Sequence, residues 1–311
     1  MLSVLNVVAP VFALVIAGFL AVRFKLYPAI GVRGLLAFVN NFATPCLLFR
    51  AALSVDFQSV FNPQIIIGFY AGALVAFAIG IFLSRTLFSD SPGEAAASGF
   101  GAMYSNCVLL GIPIIQRAFG EAALPTIYSI LSLHAPLLMT LALLVIELTR
   151  RDGTSLGGAL VKAGQRIVTN PLLIGLGLGL IGNVAGLKLI EVADAFTLMM
   201  AQAVVPVALF GLGGALNEYK LRENWTQALA MSGLKLFVQP AIAWVLLVPI
   251  FHVEHEIARY AVVLAAMPTG INAYIFATNY NRSVDVAANT VLIATGLSVL
   301  SISMWLYIMS F

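Results

Sequence analysis

Charge is what this sequence has least of. Only 9% of its 311 residues are Asp, Glu, Lys or Arg, against 61% hydrophobic. Average soluble domains carry about 25% charged residues. That contrast, with a mean hydropathy of +1.02, excludes a soluble fold and calls for a polytopic membrane protein. At roughly 20 apolar residues per span, the chain has room for about ten helices with short loops and no soluble domain. Cysteine is scarce as well: Cys46 and Cys107 are the only two. Both fall in apolar runs, so a disulfide framework is not indicated. No Lys or Arg precedes Arg23, so the basic start of a cleaved signal peptide is missing and a retained first helix is expected. The net charge of +3 is spread over loops and gives no nucleic-acid footprint.

The most telling scarcity is of carboxylates at membrane depth. All thirteen acidic residues fall in loops or at helix ends, whereas cation pumps and proton relays usually keep one inside the membrane. A carboxylate-pair antiporter is therefore excluded, and the expected substrate is neutral or anionic. No paired-carboxylate, metal-ligand or nucleophile constellation points to an enzyme, and no cofactor is implied. His252-Val-Glu-His-Glu256 sits in a loop without a further ligand set, so no metal is assigned. Gly177-Leu-Gly-Leu-Ile-Gly182 has dinucleotide-fingerprint spacing but follows no strand. Close helix packing is the reading for it, with Gly175 and Gly179 forming a GxxxG pair.

Apolar runs are read at 3–22, 31–53, 63–88, 95–118 and 123–148, then at 168–186, 195–217, 226–250, 257–280 and 284–310. A polar interval divides five from five, giving repeats over 1–150 and 168–311 and a linker over 151–167. The halves look related. The second run carries Pro45 and Phe49, the seventh Pro206 and Phe210 at the same spacing, and the fourth and ninth are both interrupted. An odd number of helices per repeat turns the second copy upside down, as in many secondary transporters. The expected fold is thus all-α, with ten transmembrane helices in two inverted five-helix repeats. Loops after helices 1, 3, 5, 7 and 9 hold Arg23, Lys25, Arg33, Arg85, Arg150, Arg151, Lys162, Arg166, Lys220, Arg222 and Arg282. The opposite loops hold only Arg50, Arg117, Lys188 and Arg259, which places both termini outside the cytoplasm.

The interruptions carry the functional reading. In Ser105-Asn-Cys-Val-Leu-Leu-Gly-Ile-Pro-Ile115, Gly111 loosens the backbone, Pro113 removes a donor and Asn106 adds an amide. Pro268-Thr-Gly-Ile-Asn-Ala273 is the matching break, with Pro268 and Gly270. Two broken membrane segments in corresponding positions point to a transporter's binding site. A broken helix exposes a new N-terminus with free N–H groups and partial positive charge, which holds an anion without a fixed cation. Ser105, Asn106, Thr269 and Asn272 add neutral donors, either to a ligand or as caps of the broken backbone.

Three other sites carry two readings each. His134, in the middle of helix 5, carries a coupling proton or donates to a carboxylate; or it is a neutral histidine bonded to a carbonyl. Lys235, deep in helix 8, snorkels to the cytoplasmic surface or attracts substrate and gates. Asn40, Asn41 and Thr44 beside Pro45 line a cavity or pack helices.

Asn106-Cys-Val-Leu-Leu-Gly-Ile-Pro113, Pro268-Thr-Gly-Ile-Asn-Ala-Tyr-Ile-Phe-Ala277 and Asn279-Tyr-Asn281 resemble the two crossover segments of the auxin efflux carrier family. That family includes plant PIN-type auxin exporters and bacterial transporters of malonate- and malate-like acids. The resemblance implies crossed helices 4 and 9 in a sodium/proton-antiporter-like or bile-acid-symporter-like fold. It also implies a scaffold domain of helices 1, 2, 6 and 7, a transport domain of helices 3–5 and 8–10, elevator-type alternating access, and a homodimer through the scaffold in a bacterial inner membrane. Asn106 matches the family's carboxylate-binding asparagine, and the resemblance implies substrate contact at His134 and a counterpart for Lys235. Ala273 stands where the plant carriers have a second proline, and their long cytoplasmic loop is missing. Asn272 makes the cavity more polar than an indole site, favouring a small carboxylic acid over auxin. The alternative is a sodium-coupled organic-anion symporter of the bile-acid type.

Overall fold

The computed structural model describes residues 2–54, 62–149, 169–218 and 223–310. The 151–167 linker lies outside the described residues. Among those described, all regular structure is helical. The one extended contact is an isolated antiparallel bridge between Ser105 and Thr269. In chain order the helices are α1 (Leu2–Arg23), α2 (Ala29–Ser54), α3 (Pro63–Thr86), α4 (Pro92–Met103), α5 (Cys107–Phe119) and α6 (Leu124–Thr149). There follow α7 (Pro171–Val184), α8 (Glu191–Ala215), α9 (Trp225–Ile250), α10 (His255–Ala265), α11 (Ile271–Tyr280) and α12 (Val284–Ile308).

Among the described residues seven helices, α1, α2, α3, α6, α8, α9 and α12, are long and apolar enough to cross a membrane. The chain is an integral membrane protein. The remaining apolar runs are shorter for physical reasons. The fourth and ninth are cut by their breaks into α4/α5 and α10/α11. The sixth starts only at Pro171, and its 14 residues span about 21 Å at 1.5 Å per residue, short of a hydrocarbon core of about 30 Å.

Three helix entries follow one rule. Asn62, Ser91 and Asn170 each stand directly before a proline and accept a backbone N–H from the first turn. The side-chain oxygen satisfies an orphan donor, while the proline has none to satisfy. At α4 the entry is a full capping box, with Glu94 reaching back to the Ser91 N–H.

Three of the internal prolines share a second rule. The π turns Val39–Ala43, Cys107–Gly111 and Leu234–Val238 each end two residues before a proline: Pro45, Pro113 and Pro240. A proline ring clashes with the carbonyl four residues back and offers no N–H to it. The wider turn relieves that conflict, because the residue before each proline bonds five residues back instead.

Packing joins α1 to α8 and α2 to both α7 and α8, while α3 packs on α4 and α9, and α9 on α12. Gly175 and Gly179 lie against the backbone of Pro45 and Phe49, too close to admit a Cβ without backbone movement. The GxxxG pair therefore packs a helix, as expected of small residues at membrane helix interfaces, whereas Gly177 of the GxGxxG-like stretch meets open space.

Candidate functional site

The two breaks meet. After α4 ends, Tyr104 turns extended and Ser105 pairs with Thr269 in the bridge. The Asn106 N–H donates to the Pro268 carbonyl at 2.7 Å, and the Gly270 N–H to the Tyr104 carbonyl at 3.0 Å. Thr269 Oγ1 donates to the Gly101 carbonyl at 2.7 Å. Each break thus satisfies part of the other's interrupted backbone, which lipid would not.

Both restarted helices begin without a side-chain cap. Asn106 holds the N-cap position of α5 but makes no capping bond, and Gly270, at the N-cap of α11, has no side chain to offer. Helix α5 restarts at Cys107 with a π turn, so Pro113 falls in its first regular α turn, between Ile112 and Phe119. At Gly111 a Cβ would come to 2.7 Å from Leu264 Cδ1 of α10, so the bare backbone lets that side chain pack closely.

Between the breaks and α2, α6 and α7 lies a cavity of about 110 Å³, lined by Asn40, Ser105, Asn106, His134, Gly270 and Asn272 among others. That is far above the roughly 10–15 Å³ that admits one water. No lining residue is charged. Asn106 is 4% exposed, and its Nδ2 has no hydrogen-bond partner. A buried amide donor left unpaired costs about 1–3 kcal/mol, which is stored where a ligand can recover it. Asn272 Nδ2, by contrast, donates to the Tyr104 hydroxyl at 3.1 Å.

His134 is 3% exposed, sits among the rings of Phe69, Tyr70 and Tyr104, and brings Nε2 to 3.1 Å from the Ser105 carbonyl. Ser105 Oγ accepts from Gln239 Nε2 at 3.5 Å. The breaks, Asn106, Ser105, Asn272 and His134 are therefore assembled in one place.

Other expected residues lie elsewhere. Thr269 is spent on the backbone and does not line the cavity. Asn41 is exposed and Thr44 is buried; neither lines the cavity, where Asn40 stands instead. Lys235 is fully buried and does not snorkel to the surface. It reaches no surface and lines no part of the cavity, but donates through Nζ to the Ala265 carbonyl at 2.7 Å. There it pairs one of the orphan carbonyls at the C-terminus of α10, at the negative end of the helix dipole.

Sequence reasoning missed Tyr104, Ser132 and Asn170, which also line the cavity. Tyr104 follows α4 directly, so its place beside Asn106 was a legible signal. Asn170 reads from the sequence only as a helix cap.

A second, wider cleft of about 890 Å³ lies among α2, α5, α6 and α8. Arg50 lines it but is not a free cation: its Nη1 binds Asp194 Oδ1 at 2.6 Å and Thr197 Oγ1 at 2.8 Å. Where α2 and α8 meet the start of α5, Val39, Ala43, Leu109, Val204 and Ala208 form a buried apolar cluster. Among the described residues no group of three or more His, Cys, Asp or Glu side chains is arranged to hold a metal ion.

The family model described as "Membrane transport protein" matches residues 3–158 and 158–306. A "Putative malonate transporter" of Rhizobium meliloti (strain 1021) is 26% identical over 318 residues, covering 99% of this chain and 96% of the relative. An "Uncharacterized transporter" of Methanothermobacter thermautotrophicus is 25% identical over 275 residues, covering 86% of this chain and 85% of the relative. "Auxin efflux carrier component 8" of Arabidopsis thaliana is 20% identical over 343 residues, covering 93% of this chain and 92% of the relative. The matched family and these relatives are transporters, not enzymes.

Proposed function

Since the chain belongs to the membrane transport protein family, with auxin efflux carriers among its relatives, we propose that it carries small organic anions of the malonate or malate kind. The observation that carries this reading is the unpaired amide of Asn106, buried in a cavity at the uncapped start of α5. Its donor, the Tyr104 hydroxyl and the free N–H groups of α5 and α11 offer a carboxylate neutral partners in a water-poor site, where such contacts are strong. The name of the Rhizobium relative supports malonate as the first acid to try. The polar wall at Asn272 supports a small acid over an indole.

In this proposal α1, α2, α7 and α8 form a scaffold and the remaining helices a transport domain, in two inverted repeats. The packing of α1 on α8 and α2 on α7 supports that division. The transport domain slides as an elevator over the apolar cluster around Leu109, Val204 and Ala208, which offers no polar contact to resist it. The protein is a homodimer through its scaffold, supported by the exposed Ile181, Val184, Phe196 and Met199 of α7 and α8. It sits in the bacterial inner membrane with both termini outside the cytoplasm.

The test is uptake into proteoliposomes of labelled malonate, malate, succinate, lactate, auxin and taurocholate, each with sodium and with potassium. The reading expects uptake of one small acid, indifferent to sodium. Uptake of taurocholate that requires sodium would replace it with the symporter reading.

A further inference from the structure

His134 and Asn106 line the same cavity with opposite unmet needs. The Ser105 carbonyl, 3.1 Å from Nε2, can only accept, so the ring proton resides on Nε2. No carboxylate lines the cavity, and the rings nearest His134 belong to Phe69, Tyr70 and Tyr104. A second ring proton would put an uncompensated cation at membrane depth, which is costly. The ring is then neutral, and Nδ1 is a bare acceptor.

Nδ1 is buried and has no hydrogen-bond partner. The Tyr70 hydroxyl donates to the Ile130 carbonyl at 2.6 Å and Asn272 Nδ2 to the Tyr104 hydroxyl, so neither of these donors serves Nδ1. The cavity therefore holds an orphan donor on Asn106 Nδ2 and an orphan acceptor on His134 Nδ1. A plain monocarboxylate satisfies the first and leaves the second empty.

Resting on the carrier reading above, we infer that the site selects an organic anion bearing its own O–H donor beside the carboxylate, and that His134 Nδ1 accepts that hydrogen. Two kinds of acid have this chemistry: 2-hydroxy acids, and dicarboxylic acids in singly protonated form. A site built to bond a hydroxyl rejects the analogue without it, because the buried partner is left unpaired. His134 is thus a specificity-determining residue, and the proton it receives belongs to the ligand.

The experiment measures binding to the purified full chain by ligand-induced thermal stabilisation. Two ligand pairs are compared, each at a pH where both members carry a single negative charge: lactate against propionate at neutral pH, and hydrogen malonate against monomethyl malonate at mildly acidic pH. The inference expects the O–H member of at least one pair to bind about tenfold or more tightly, and the pair that discriminates identifies the source of the donor. His134→Phe keeps a ring among its aromatic neighbours but removes the acceptor, and should erase the discrimination. His134→Asn restores an acceptor on a shorter side chain and should recover part of it. Equal binding within both pairs would assign Nδ1 to an ordered water and overturn the inference while leaving the carrier reading intact. Undiminished discrimination in His134→Phe would also overturn it. No stabilisation by any of the four acids would sink the site assignment and this inference together.

Discussion

At the first break Asn106 stands at a helix start with its amide donor unpaired. At the second, the same position is Gly270, and the nearby Asn272 gives its amide to the Tyr104 hydroxyl. The second break also supplies the Pro268 carbonyl that receives the Asn106 N–H, and the Thr269 hydroxyl that ties back to Gly101. Lys235 fastens the end of α10 that leads into it. One break is braced and the other is left with an unmet bond. Two asparagines in corresponding segments therefore have different work, and what separates them is the partner each finds. The second break holds the first in place, and the proposed function assigns the ligand to the first.

The sharpest way to break this comparison is Asn106→Ala. Losing a hydrogen bond to a charged group costs about 1.5–3 kcal/mol, so affinity for the transported acid should fall by roughly 10–100-fold while the melting temperature without ligand holds or rises. Lys235→Ala should do the reverse. It leaves the Ala265 carbonyl unpaired and a gap in a fully buried position, lowering stability by about 1–3 kcal/mol. Binding per folded molecule should change little, as a chemical-denaturation series with and without ligand would reveal.

Asn272→Ala removes a neutral bond worth about 0.5–1.5 kcal/mol. Affinity should weaken only about 2–10-fold in the same binding assay.

The smallest effect is expected away from the breaks, at Asp90 between α3 and α4. Burial pushes its carboxyl above the ordinary value, although the hydrogen bond from Gln227 pulls the other way. A carboxyl raised in the folded state favours folding most while protonated, and that contribution fades as pH rises through the folded value. Asp90→Asn should therefore leave the protein at least as stable at neutral pH and flatten the decline in melting temperature between mildly acidic and neutral pH. A steeper decline in the variant would contradict this.

Much of the architecture was legible because membrane helices must be long, apolar and internally bonded. The apolar runs overlap the observed helices to within a few residues, and the two interrupted stretches contain the backbone breaks, although Gly111 and Pro113 lie just inside the restarted α5. Hydropathy did not reveal the shortness of α7, because the run includes Thr169, Asn170, Ala185 and Gly186, which lie outside the helix. At the site, Asn106 and His134 were readable from their rarity in an apolar setting. Lys235 was not readable, since its partner is a backbone carbonyl thirty positions away that no side-chain pattern announces. The choice between Asn40 and Asn41 turns on helix phase. The π turn Val39–Ala43 alters that phase, so residue identity alone did not decide which asparagine faces the cavity. Tyr104 was passed over because aromatic residues are common in membrane helices, although its position at the break set it apart.

The most direct test is calorimetric titration of the acid selected by uptake into wild type, Asn106→Ala and Asn272→Ala, all shown to be folded. Asn106→Ala should weaken binding by roughly 10–100-fold, while Asn272→Ala retains it within about tenfold. Wild-type affinity in Asn106→Ala, or a larger loss in Asn272→Ala, would contradict the claim that the unpaired amide at the first break receives the ligand.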